Sequence, residues 1–206
     1  DDLRPRITGL LQAIRANGAA VDDGVLRRHY DVERQRMLVY DLMRRFGYDF
    51  TRGRHDAAPH PFCTSFSMDD VRITSRILAD DLAYFLFSAL HETGHALYEQ
   101  GVSPALGRTP LGHGASLGVH ESQSRLWENV IGRSRPFWNY FYPQVQAAFP
   151  DALGDVSLDT FFRIVNRVQP SLIRIGADEV TYNLHIMLRF ELETGLLDGS
   201  LHVADL

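Results

Sequence analysis

Apolar residues recur at helical spacing along most of the chain. Leu3, Ile7, Leu10, Leu11 and Ile14 predict a helix over residues 1–17, closed by Asn17-Gly18. A second helix is expected from Asp22 to Phe46, with Gly47 as its stop. Residues 51–62, rich in Gly, His, Asp and Pro, read as loop. Polar and apolar positions partly alternate over Cys63–Ile77, which predicts one or two strands turning near Asp69-Asp70. The apolar run Leu82–Leu90 belongs to a helix spanning about Asp80–Glu99 and ended by Gly101. Residues 101–118, with five Gly and two Pro, form a long loop of the kind that usually carries function. Helices follow at 119–132, 157–168 and 171–195, with an aromatic stretch, Pro136–Phe149, between the first two. The predicted fold is mainly α, with one small β-sheet, in a single domain over 1–206.

Composition narrows the picture. The 206 residues are 45% hydrophobic and 23% charged, the balance of an ordinary globular domain. A net charge of -5 argues against nucleic-acid or anionic-membrane partners. All 21 basic residues are Arg, a side chain suited to carboxylates. The paired arginines of the second helix, Arg27-Arg28 and Arg44-Arg45, read as a solvated face. The lone cysteine, Cys63, excludes an internal disulfide. No apolar run reaches the roughly 18 residues of a membrane span, and no secretory leader is evident. A cytoplasmic setting is the expectation.

The chemistry gathers at His91-Glu92-Thr93-Gly94-His95. Side chains four apart share one helix face, so both imidazoles can reach one zinc ion. Glu92 then lies where its carboxylate meets a metal-bound water. A chance match in a chain of this size is on the order of 1 in 100. Burying two His and a Glu is costly unless they are paired or metal-bound, and the preceding apolar run marks the helix as buried. A further His near position 101, which one extended form of the pattern demands, is absent: that residue is Gly101. Glu99 lies about two helical turns beyond His91, too far to share an ion. Glu121, opening the helix after the Gly-rich loop, completes a two-His, one-Glu set like that of thermolysin-type peptidases. Two alternatives stay open: Glu121 pairing with Arg125 at i,i+4, and His120 as the ligand.

Several motifs, in order, carry a resemblance. They are His60-Pro61-Phe62, Asp70-Val71-Arg72-Ile73-Thr74, His91 to His95, His120-Glu121-Ser122-Gln123-Ser124-Arg125, and Ile173-Arg174-Ile175-Gly176-Ala177-Asp178-Glu179-Val180-Thr181-Tyr182. Together they span roughly residues 25 to 195, and the chain resembles the Taq-type zinc carboxypeptidases. The resemblance implies that His91, His95 and Glu121 hold the metal and that Glu92 is the catalytic base. It places His60 and Arg174 in the substrate cleft. It also implies a helical fold with a deep groove and a small sheet beside the zinc helix, frequent homodimers, and Co2+ as a working substitute for Zn2+ in some members. Typical members are more than twice this length. The chain therefore reads as a short member or a fragment, without the family's N-terminal helical region or its C-terminal Gly-x-x-Gln-Asp-x-His-Trp motif and Tyr.

The expected reaction is release of single amino acids from peptides with a free C-terminus. Zinc would lower the pKa of a water towards about 7, and Glu92 would take its proton and pass it to the leaving amine. Tyr182 or His60 would stabilise the oxyanion in place of the missing Tyr. Arg174 and Arg72 are the candidates to grip the substrate carboxylate through two-pronged hydrogen bonds. The bland readings are an Arg174–Asp178 ion pair and a strand-surface Arg72. Asp178 and Glu179 are candidates to hold the zinc histidines from behind, and His185 reads as core packing. The strand at 64–74 is expected to offer an edge to substrate backbone. His113 reads as a non-ligand, and Trp127, Phe137, Trp138, Tyr140, Phe141 and Tyr142 as core or interface. Two other readings remain: a zinc endopeptidase or oligopeptidase, and a non-catalytic zinc-binding module.

Overall fold

The computed structural model describes residues 2–18 and 20–206. Two compact units divide the chain, one formed by Asp22–Val165 and one by Asp1–Val21 with Asn166–Leu206. The second of these holds helix α1 (Leu3–Asn17), whose expected first residue, Asp1, lies outside the described residues.

The Asp22–Val165 unit is built on a buried helix. Helix α2 (Val32–Phe46) leads into strands β1 (Gly53–Ala57), β2 (Phe62–Ser67) and β3 (Asp70–Ser75), then helix α3 (Leu82–Gln100). Helix α2 is shorter than the expected Asp22–Phe46. A 3-10 turn at Gly24–Arg27 precedes it, and the Asp31 side chain caps it by accepting from the Arg34 amide at 2.9 Å. Gly47 ends it at φ 102°, in the left-handed region.

The sheet order is β1-β3-β2, with β1 parallel and β2 antiparallel to β3. Val71, Ile73 and Ser75 alternate inward along β3 while Asp70, Arg72 and Thr74 face out. Strand β1 occupies part of the expected 51–62 loop. Its inward residue is His55 rather than an aliphatic, and Tyr40 Oη sits 3.1 Å from His55 Nδ1. Because β3 is central, both its edges are paired, and the edge expected over 64–74 is carried by β2 alone. Helix α3 packs on β3 and β2. It buries Leu82, Phe85, Leu86, Phe87, Ala89, Leu90 and Ala96.

After α3 the Gly-rich loop contains only a 3-10 turn at Pro104–Leu106. Helix α4 (Leu117–Arg125), capped by Ser116, runs directly into a π-helical turn, Leu126–Ile131. The aromatic stretch is helix α5 (Arg135–Ala148), followed by the short α6 (Pro150–Leu153) and α7 (Leu158–Val165). Trp138 and Phe161 meet edge to face at 4.7 Å, and Phe137, Phe141 and Tyr142 are buried beside them, as core. Tyr140 departs from that set and stays exposed next to Arg45.

In the other unit the expected 171–195 helix begins late. A 3-10 turn at Arg174–Gly176 precedes helix α8 (Tyr182–Asp198). Asp178 causes the delay: its carboxylate accepts from the Val180 and Thr181 amides and the Thr181 hydroxyl, a turn that competes with helix.

Candidate metal centre

His91 and His95 lie one turn apart on α3, so their rings share a face, with centroids 4.9 Å apart. Gly94, between them, lets α4 come close. A Cβ there would stand 2.6 Å from Ser124 Cα and 2.7 Å from the Gln123 carbonyl oxygen, so only Gly permits this approach. The close contact brings Glu121 over the histidines. Its Oε2 is 3.4 Å from His95 Nε2 and 3.7 Å from His91 Nε2. The three donor atoms lie within 4.8 Å of one another, the one such His/Cys/Asp/Glu group among the described residues.

The expected alternative for Glu121 holds at the same time: Arg125 Nε reaches its other oxygen, Oε1, at 3.2 Å. Arg125 thereby orients the carboxylate instead of withdrawing it. Burial pushes the Glu121 carboxyl up, but the neighbouring His95, His91 and Arg125 outweigh it and hold the group down at about 2. An anionic carboxylate facing two imidazole nitrogens is a donor set that fits a divalent cation. Glu92 differs. It is buried, with His91 and His60 pulling it down less than burial pushes it up, and its carboxyl rises to about 7.

Other groups stand behind the histidines. Glu128, on the π-helical turn, places Oε2 2.8 Å from His91 Nδ1 and accepts from Arg125 at 2.9 Å. Burial opposes its charge, but His91 and Arg125 prevail and keep its carboxyl below the ordinary value. His120 Nδ1 lies 2.7 Å from His95 Nδ1, and His120 Nε2 lies 2.6 Å from Glu99 Oε1. His120 thus stands behind His95 rather than in the donor set. His113, mostly exposed, reaches only to 3.8 Å of Glu99 Oε2.

The sequence points to Asp178 and Glu179 for this support and misses Glu128. Asp178 is spent on its own turn, and Glu179 is exposed. A signal for Glu128 is nonetheless present: it follows Glu121 by seven residues, two helical turns on one face.

The substrate candidates are distributed. His60 is an exposed residue of the β1–β2 loop whose backbone carbonyl accepts from the Thr74 hydroxyl at 3.0 Å. Arg72 is held two-pronged by Asp70 at 2.8 and 2.7 Å and lies over Phe66. Arg174 and Tyr182 belong to the other unit, where the guanidinium donates to the Tyr182 hydroxyl at 2.9 Å. Arg174 sits in a 3-10 turn, not at the helical i,i+4 spacing that a pairing with Asp178 assumes. His185 is half-buried on α8. Among the described residues no helix is long and apolar enough to cross a membrane.

Comparison with known proteins points to one family. The family described as "Carboxypeptidase Taq (M32) metallopeptidase" matches residues 1–206. Thermostable carboxypeptidase 1 of Thermus thermophilus is 49% identical over 205 residues, all of this chain and 40% of that protein. Carboxypeptidase 1 of Bacillus subtilis is 41% identical over 205 residues, again all of this chain and 41% of that protein. The crystal structure of an M32 carboxypeptidase from Deinococcus radiodurans R1 superposes with a TM-score of 0.95 at 49% identity, covering 100% of this chain and 41% of that one. The chain therefore spans about two fifths of the length of the relatives it matches.

Proposed function

Because the chain belongs to the Taq-type M32 metallopeptidase family, we propose that it carries the metal centre of a carboxypeptidase that removes single residues from the free C-terminus of peptides. The observation that carries this reading is the cluster of His91, His95 and Glu121 with the buried Glu92 beside it. Zinc is the proposed ion, with cobalt as a substitute; held by those three side chains, it would acidify a water and polarise the scissile carbonyl.

The chain's own residues supply the rest. Glu92, raised towards neutrality by burial, is suited to take a proton from the attacking water and give it to the leaving amine. Arg125 and Glu128 keep Glu121 and His91 aimed. His60, close enough to Glu92 to lower its carboxyl, is the proposed donor at the substrate carbonyl oxygen. On the family resemblance alone, Arg174 is the proposed grip on the terminal carboxylate. The guanidinium of Arg72 already faces Asp70, which makes it the weaker candidate. Strand β2, at the sheet edge beside α3, is the proposed seat of the substrate backbone. The proposed assembly is a homodimer, as the resemblance implies, and the proposed setting is the cytoplasm.

The test is mass spectrometry of a peptide incubated with the zinc-loaded chain, beside the same peptide with an amidated C-terminus. Loss of single residues from the free end alone is the expected result. Internal cuts in both peptides would assign an endopeptidase instead. Zinc binding with no cleavage of either would overturn an enzymatic role for this chain.

A further inference from the structure

An imidazole can offer a metal only a nitrogen that carries no proton, so something must fix the tautomer of each histidine at the site. For His91 the fixing group is direct: Glu128 can only accept, so the Nδ1 it meets at 2.8 Å bears the proton and Nε2 is left bare. His95 has no carboxylate at that position. Its Nδ1 meets another imidazole, His120 Nδ1, at 2.7 Å, and either ring could be the donor.

The ambiguity resolves one step further back. His120 Nε2 lies 2.6 Å from Glu99 Oε1. A carboxylate accepts, so His120 Nε2 carries the proton and neutral His120 has a bare Nδ1. His95 Nδ1–H must then donate to it. In neutral His95 that leaves Nε2 without a proton, and this is the nitrogen 3.4 Å from Glu121 Oε2. The arrangement is held tightly. The Gly114 amide donates to the same Glu99 oxygen at 3.2 Å, and the Glu99 side chain is only 7% exposed. Tyr98 meets the His120 ring edge to face at 5.1 Å, and the Gly-rich loop passes so close at Gly114 that a Cβ there would stand 2.6 Å from His120 Cδ2.

We propose that Glu99, acting through His120, is a positioning pair that holds His95 in the one tautomer able to bind the metal, a role that rests on the proposed metal centre of His91, His95 and Glu121. Neither residue belongs to the proposed donor set. This gives a role to the Glu that ends the metal helix and to the His preceding Glu121, and it makes the loop at 113–115 part of the metal site's support.

The test compares the full chain with His120→Phe, His120→Asn and Glu99→Gln. The zinc dissociation constant is read by competition with a chromophoric chelator. The His95 tautomer is read from imidazole 15N shifts in the metal-free protein. His120→Phe, which cannot accept a hydrogen bond, is expected to weaken zinc binding by about 10–100-fold. His120→Asn, whose amide oxygen takes the place of Nδ1, is expected to recover most of that loss. In Glu99→Gln the amide can donate to His120 as well as accept, so His95 is expected to show mixed tautomers and weaker zinc binding. Wild-type affinity in His120→Phe, or an equal loss in Asn and Phe, would overturn the proposal. If His120→Phe fails to fold by circular dichroism, Glu99→Gln decides alone, and unchanged affinity or an unchanged tautomer would overturn it. No readout uses peptide hydrolysis: a wild type that binds zinc but cleaves nothing refutes the carboxypeptidase reading and leaves this one standing, whereas one without zinc affinity refutes both.

Discussion

Adding a single methyl group at Gly94 tests how the site is built. In an ordinary helix interior Gly→Ala stabilises by up to about 1 kcal/mol. Here the new Cβ would stand 2.6 Å from Ser124 Cα, roughly 0.8 Å inside the 3.4 Å at which ordinary contact begins. The neighbours are backbone atoms, so α4 must move as a body. Overpacking of this kind costs about 1–3 kcal/mol, which exceeds the propensity gain. The expected melting temperature falls by about 2–4 °C for each net kcal/mol lost. Glu121 rides on the same helix three residues before Ser124, so it moves by a comparable amount. Metal–ligand distances tolerate only about 0.2 Å, and a misplacement approaching 1 Å can cost on the order of 100-fold in turnover. Gly118→Ala, on the same helix with nothing within 4 Å of the new Cβ, is the control and should leave zinc affinity unchanged. The assay pairs thermal melts of the metal-free proteins with chelator competition for zinc. If Gly94→Ala melts higher than wild type and binds zinc equally well, the close approach of α3 and α4 does not set the Glu121 position, and the reasoning fails.

Glu92→Gln keeps the shape of the side chain and removes the base. Zinc affinity should change little while peptide turnover falls by about 10²–10⁴-fold, measured by residue release. Saturating zinc should stabilise the chain by about 2.7 kcal/mol at a hundred times its dissociation constant, and chelation should reverse the gain in a melt. His55, buried on β1 with its pKa lowered to about 4 mainly by burial, binds its proton only in the unfolded chain between about pH 6.5 and 4. Its contribution is therefore present above pH 6.5 and lost as pH falls, by about 3 kcal/mol in all. The raised carboxyl of Glu92 titrates in the opposite sense across much of that window. The measurement is thus the stability difference between wild type and His55→Phe, which should narrow or change sign as pH falls from 7 to 4.5; a pH-independent difference would show that His55 is not buried neutral.

The parts of the site visible in the sequence are those set by one element at a time. His91 and His95 share a face because of helical periodicity alone, and Glu121 stands on the next helix, so spacing and chemistry suffice to name them as candidate donors. Their support depends on how elements meet. Glu128 carries the i+7 signal from Glu121, yet its partner, His91, lies on another helix. The Glu99–His120 contact exists only because the loop over 101–118 folds α4 back along α3, which no local pattern encodes. The missed elements have similar causes. Strand β1 buries a histidine where an alternating aliphatic would have announced it, and Tyr40, thirteen residues before β1, supplies the contact that permits this. The late start of α8 follows from Asp178 three residues before Thr181, whose carboxylate closes a local turn that competes with helical periodicity. The most informative residue in the motif is the one without a side chain. Between the two histidines of the proposed metal centre, Gly94 removes the Cβ that would hold the second helix off, so the glycine and the position of Glu121 belong to one structural requirement.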